Sequence, residues 1–228
     1  MLISHVGRKI TAAFVLPLLL VGCAGKQAAF HPKRTVVLAE KFGLVDVRKE
    51  VPDIVVDLRY STAQNVTGKP LYPRRMPCLL LRPTVERLKL AQARLRAQGY
   101  GLKIWDAWRP TEVQEKLHAQ GGRTGMFLNP QFGWSRHCGG VSLDATLVDA
   151  EGREQPMPTY FDENLDHAAS NQTPADPVVR RNLALLHQAM REAGLVPLPA
   201  EWWHFDDIDF LYDPVPVVRG RDIGFRER

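Results

Sequence analysis

The stretch "SRHCGGVSLDATLVD", residues 135–149, carries two patterns at once. From Val141 onward it alternates. Val141, Leu143, Ala145 and Leu147 fall on one face of a strand, and Ser142, Asp144 and Thr146 fall on the other. Gly139-Gly140 lets the chain bend just before the strand, which puts His137 at its mouth. The stretch therefore supplies a core strand and, seven positions apart, a histidine and an aspartate.

The flanking elements set the fold class. "IVVDLRY" (54–60) is rich in β-branched residues and predicts a strand, as does "LKIWDAW" (102–108). "NVTGKPLYPRRMP" (65–77) reads as loop. "TVERLKLAQARLRAQG" (84–99) places Val85, Leu88, Ala91 and Leu95 near helical spacing and stops at Gly99. A helix after Pro110 stops at Gly121-Gly122. The clearest helix, 176–194, has Asp176 as its cap, Pro177 in its first turn and Gly194 at its end. No βαβ rhythm and no phosphate-binding glycine loop appear, so the class is α+β. His118 and His187 fall on predicted helices as surface residues, and His167 falls in a loop.

The chain has 228 residues, 45% hydrophobic content and a net charge of +5, enough for one sizeable core. No Lys/Arg block with interleaved aromatics is present, which argues against nucleic acid as a partner. At the N-terminus, Arg8 and Lys9 precede an apolar run too short to span a bilayer as a helix. It ends in "LVGC" (20–23), which resembles a bacterial lipobox. That resemblance implies a signal peptide over 1–22, lipidation at Cys23, a tether over 23–34 and a domain over 35–228. Ala24 after the cysteine implies outer-membrane sorting, facing the periplasm. Cys78 and Cys138 remain, either as a disulfide or as two buried thiols.

"EWWHF" (201–205) sets two tryptophans between Glu201 and His204. Catalytic zinc commonly takes three ligands from His, Asp and Glu and leaves a position for water. His137, Asp144 and His204 would supply such a set, with Glu201 near enough to take a proton from the water. A capped loop, a solvated strand face and a satisfied core histidine explain the same residues. Arg109 follows a strand and precedes Pro110. It reads either as an oxyanion donor or as a surface arginine paired with Asp106.

The chain resembles the D-alanyl-D-alanine dipeptidases, zinc enzymes related to vancomycin-resistance dipeptidases. The likeness is carried by "DLRYSTAQNVTGKPLY" (57–72), "CLLLRPTVERL" (78–88), "LKIWDAWRP" (102–110), "SRH" with "LD.TLVD", "FDE" and "EWWHF". It implies a hedgehog/D,D-peptidase-like fold, with a small antiparallel sheet and flanking helices. It implies one zinc per chain on His137, Asp144 and His204, Glu201 as base and Arg109 as the transition-state donor. Ser135 becomes a substrate contact, and Tyr60, Asn65 and Asp162 line or brace the pocket. The implied substrate is D-Ala-D-Ala or a close D,D-dipeptide, in cell-wall dipeptide turnover. A D,D- or L,D-carboxypeptidase on longer peptidoglycan stems, and a non-catalytic zinc-stabilised envelope domain, are the alternatives. Two departures bear on substrate preference: Cys138-Gly139 replaces polar and basic residues of the family's "SRHSRG", and Met157-Pro158 departs from "MGT".

Overall fold

The computed structural model describes residues 30–121, 125–163, 165–214 and 216–226. The expected signal peptide and Cys23 lie outside the described residues. The chain enters the fold through helix α1 (Pro32–Glu40), with Pro32 in its first turn and Thr35, Val36 and Ala39 buried. The folded unit thus begins before residue 35, inside the stretch expected to be tether. Proline costs nothing at a position whose N–H has no helical partner. Strand β1 (Leu44–Asp46) and the short helix α2 (Val47–Glu50) follow.

The main sheet has five strands: β2 (Val55–Val56), β4 (Tyr100–Asp106), β5 (Ser142–Asp149), β6 (Leu195–Pro197) and β7 (His204–Asp207). Their order is β2-β4-β5-β7-β6. All pairs are antiparallel except the edge pair β2–β4. β1 pairs with β3 (Leu79–Leu81) in a separate two-stranded ribbon. Helix α4 (Thr111–Gly121) follows β4, and helices α3 (Arg82–Arg96) and α6 (Pro177–Glu192) pack against each other and against the sheet. α6 is capped as its sequence predicts, with Asp176 Oδ1 accepting the Val178 N–H at 2.7 Å. The α+β expectation holds.

Two local features aim the polar residues. The ladder between β4 and β5 shifts by one residue between Ile104 and Asp106, so that Asp106 faces Asp144. Asp144 in turn pairs with His204 across β5 and β7. The bulge therefore lines up Asp106, Asp144 and His204 in one row across three strands. Gly140, at φ +68, follows the 3₁₀ turn Arg136–Gly139. A Cβ there would lie 2.5 Å from Leu44 Cδ2 and 3.1 Å from the Leu81 nitrogen, so only glycine fits this approach.

The predicted strand at 54–60 shrinks to two residues. Its continuation turns into a 3₁₀ segment, Arg59–Ser61, because the Tyr60 carbonyl accepts the N–H groups of Leu71 and Tyr72 at 2.7 and 2.9 Å. That detour buries Tyr60. The polar face of β5 is not solvated either: Ser142, Asp144 and Thr146 are all buried. Cys78 and Cys138 are free buried thiols. Burial pushes Cys138 up to about 12, and Cys78 higher still, so both are unreactive.

Candidate active site

A cavity of about 150 Å³ opens where β5 and β7 meet the loops around residues 126–128 and 134–137. His137 sits in the 3₁₀ turn, Asp144 on β5 and His204 at the start of β7. One ligand-capable atom from each lies within 4.8 Å of the other two. His137 Nε2 is 3.1 Å from His204 Nδ1, and Asp144 Oδ1 is 3.3 and 3.1 Å from these two nitrogens.

The outer ring nitrogens decide what these inner atoms are. His137 Nδ1 donates to the Ala107 carbonyl at 2.8 Å, and His204 Nε2 donates to Asp206 Oδ1 at 3.0 Å. Each neutral ring then turns a lone pair inward, toward a carboxylate oxygen. Three acceptors converge with no donor among them, an arrangement that a cation relieves. Two imidazole nitrogens and one carboxylate form a donor set that suits zinc and leaves a coordination position open. In the metal-free chain a proton takes that part. Burial alone would lower His204, but the hydrogen bonds to Asp144 and Asp206 outweigh it and raise its pKa to about 10. Asp144 lies far below the usual carboxylate range: burial opposes this, and the charges and hydrogen bonds of His137 and His204 prevail.

Glu201 and Arg109 line the same cavity. Burial raises the Glu201 carboxyl, with the Asp144 charge adding to the effect and His204 and Arg109 opposing it. The turn carrying Glu201 and His204 is pinned by its two indoles. Trp202 and Trp203 are fully buried and stack edge-to-face at 5.5 Å. Trp202 Nε1 donates to Thr159 Oγ1 at 3.0 Å, and the Trp203 carbonyl accepts the Ala145 N–H at 2.9 Å. His187 is buried rather than on the surface, and donates from Nε2 to the Trp202 carbonyl at 2.9 Å. The apolar α6 core leaves that carbonyl without water, and the histidine meets its need.

Arg109 is also buried, so a surface ion pair is not its setting. Its Nε and Nη2 lie 2.8 Å from Asp106 Oδ2, and its Nη1 donates to Gln114 Oε1 at 2.9 Å. Nη2 comes within 3.6 Å of Asp144 Oδ2. The guanidinium lies over the Tyr60 ring at 5.0 Å. With these partners counted, four of its five N–H groups are engaged, the one towards Asp144 only at 3.6 Å, and one on Nη1 is left over.

Ser135 lines the cavity and caps the turn, its Oγ accepting the His137 N–H at 3.3 Å. Tyr60, Trp134 and Asp162 line it too. Asn65 does not: its amide donates to the carbonyls of Thr62 and Lys69 and braces a loop. Tyr72 is a brace as well, donating to Asp106 Oδ1 at 2.6 Å. His118 bonds the Phe127 carbonyl at 3.2 Å, and His167 is exposed in the short helix α5 (Leu165–Ala168), outside the cavity. Sequence reasoning missed Asp206 and Gln114. The signal for Asp206 was its place two residues after His204, on the same face of a strand. Neither departure lines the cavity: Cys138-Gly139 is buried within the 3₁₀ turn, and Met157-Pro158 lines a neighbouring groove.

A family model described as "D-ala-D-ala dipeptidase" matches residues 40–123 and 126–217. The D-alanyl-D-alanine dipeptidase of Escherichia coli (strain K12) is 32% identical over 163 residues, covering 72% of this chain and 83% of that protein. The D-alanyl-D-alanine dipeptidase of Enterococcus faecium is 28% identical over 176 residues, covering 65% and 83%. Among solved structures, the chain is similar to a vancomycin resistance D,D-pentapeptidase, VanY, in complex with Zn(II), at 13% identity and a TM-score of 0.38 over 60% of this chain and 78% of that one.

Proposed function

We propose that this chain, which belongs to the D-Ala-D-Ala dipeptidase family, hydrolyses D,D-dipeptides with a single zinc held by His137, Asp144 and His204, with Glu201 as general base and Arg109 as oxyanion donor. The observation that carries this reading is the convergence of three inward-facing acceptors in a cavity that Glu201 and Arg109 also line.

Zinc, when bound, supplies a Lewis acid for the scissile carbonyl and makes water easier to deprotonate. Glu201 accepts the proton of the attacking water and passes it to the leaving amine. Its raised affinity for protons suits it to hold one between the two transfers. Arg109 offers the remaining N–H of Nη1, with the Nη2 N–H that faces Asp144 only at 3.6 Å, to the carbonyl oxygen as negative charge develops there. Asp106 and Gln114 hold the guanidinium in place beforehand, so no reorganisation is needed during the reaction. Ser135 has a hydroxyl at the rim for a substrate polar group.

The family the chain belongs to favours a dipeptide over a longer stem. Turnover of D-Ala-D-Ala against a pentapeptide, with zinc content measured on the same preparation, tests the assignment. Preference for the pentapeptide would move the chain to the carboxypeptidases, and stoichiometric zinc without turnover would make it a binding domain.

The "LVGC" stretch supports export and lipid attachment at Cys23, with the domain held at the outer membrane and facing the periplasm. An exported dipeptidase cannot meet cytoplasmic D-Ala-D-Ala before it enters precursor synthesis. Turnover or scavenging of wall dipeptide is therefore the role that fits. Cys23→Ala should release the protein from the envelope, and a wild-type mature chain without acyl mass at Cys23 would end this part of the reading.

A further inference from the structure

A groove of about 660 Å³ lies on α1, beside residues 46–49 and 75–77. Val36, Val37 and Met76 line it, together with four cations, Lys33, Arg48, Lys49 and Arg75. Asp46 is its only acidic lining residue, and its carboxylate already accepts the Arg48 backbone N–H at 3.1 Å. Elsewhere several basic side chains find carboxylates, Arg59, Arg87, Lys89, Arg94, Arg96 and Arg153 among them. Among the described residues, none of the four groove cations is, and Arg48 reaches only the Met76 carbonyl, at 3.5 Å. Val37 is 60% exposed at this site. Arg75 sits at φ +63, a backbone conformation that glycine or asparagine adopts at lower cost.

The place of the groove is as informative as its charge. Pro32, where the chain enters α1, is one of its walls. Eight residues separate Cys23 from Pro32. Fully extended, that connection reaches about 30 Å. A lipid at Cys23 would therefore keep this groove close to the bilayer. Cations near an anionic leaflet are attracted within a screening length of about 8 Å at physiological salt.

We propose that this groove is the face the domain lays on an anionic phospholipid surface, with Lys33, Arg48, Lys49 and Arg75 meeting phosphate headgroups and Val37 meeting the interface between them. The proposal rests on the lipid-anchor reading of Cys23, and its test separates the two. The full chain is purified from membranes and reconstituted in vesicles of phosphatidylcholine alone or mixed with phosphatidylglycerol. Amine labelling is then followed by mass spectrometry at Lys33 and Lys49, with exposed Lys69 as the internal reference.

The expected result is labelling of Lys33 and Lys49 slowed roughly fivefold or more by phosphatidylglycerol, with Lys69 unchanged. High salt and the double variant Arg48→Gln/Arg75→Gln should both abolish the protection. Equal labelling in the two vesicle types, with acyl mass present at Cys23, would overturn the groove proposal and leave the anchor standing. Protection without acyl mass would keep the groove and remove the anchor. Protection by added DNA or by an acidic protein, but not by phosphatidylglycerol, would also overturn it.

Discussion

His137 Nε2 and His204 Nδ1 face each other 3.1 Å apart, while the opposite nitrogen of each ring is tied to an oxygen outside the site. In the neutral rings the outer bonds fix the tautomers, so two lone pairs face each other beside Asp144 Oδ1, a place for a cation or, at His204, for a proton. In the proposed metal site that relationship gives Asp206 the place of an orienting carboxylate and not of a ligand. Ser142 Oγ donates to the same Asp206 oxygen at 2.5 Å and holds it in place. Asp206→Asn should weaken zinc binding roughly 10–100-fold, as loss of an orienting carboxylate does. Competition with a chromophoric chelator measures this, and wild-type affinity would remove Asp206 from the role.

Metal should also stabilise the fold. A ligand that binds only the native state adds about 2.7 kcal/mol at 100 times its Kd. Zinc added to the chelated protein should raise Tm and restore turnover together. His137→Ala should show neither effect. A normal zinc-dependent Tm shift in that variant would mean that the ion sits elsewhere.

Glu201→Gln keeps size and hydrogen bonding but removes the base. The amide that replaces the carboxylate cannot accept the water's proton, yet the three proposed ligands are untouched. The variant should fold, bind about one zinc per chain and lose nearly all turnover. Loss of zinc along with activity would make Glu201 a ligand. Near-normal turnover with full zinc would take it out of the chemistry.

Asp162 carries a pH signature distinct from the metal. Burial raises its carboxyl from the ordinary 3.8 to about 7, with the Val66 N–H and Arg109 working against the rise. The folded state therefore binds more protons than the unfolded state between those two values, and stability falls as pH rises through that window. Asp162→Asn should remove this slope. Denaturant unfolding of the chelated protein from acid to neutral pH checks it, and an unchanged slope in the variant would assign the titration to another group.

The parts of this protein legible in its sequence are those set by local rules. The β5 alternation, the Asp176 cap and Gly194 stop of α6, and the strand leading to Arg109 all follow from residues close together in the chain. For the ligand-capable trio the residues alone left a capped loop, a solvated strand face and a core histidine equally open, and the family resemblance selected His137, Asp144 and His204. What the sequence could not carry is long-range pairing. The β4 bulge that sets Asp106 opposite Asp144 depends on a partner strand some forty residues away. The burial of His187 depends on the Trp202 carbonyl, fifteen residues on. The detour at Tyr60 depends on the N–H groups of Leu71 and Tyr72. None of these partners leaves a mark on the local hydrophobic period.

Charge and geometry are separable at Arg109. Arg109→Lys retains a cation but loses the fork that lets one side chain bind Asp106 and Gln114 while still presenting N–H groups to the cavity. If those groups act on the developing oxyanion, kcat should fall by roughly 10²–10³ with KM little changed. A raised KM with normal kcat would reassign Arg109 to anchoring the ground-state substrate. Asp106→Asn supplies the second measurement. Asp106 touches no substrate in this reading; it fixes the guanidinium through Nε and Nη2, and it is itself fixed by Tyr72. Asparagine keeps one acceptor oxygen, so the variant should fold and bind zinc yet lose part of the same kcat. The double variant Arg109→Lys/Asp106→Asn should then be barely slower than Arg109→Lys alone, because the aspartate acts through the arginine. Fully additive losses would show that Asp106 contributes independently of Arg109, through its 3.6 Å approach to His137 Nδ1.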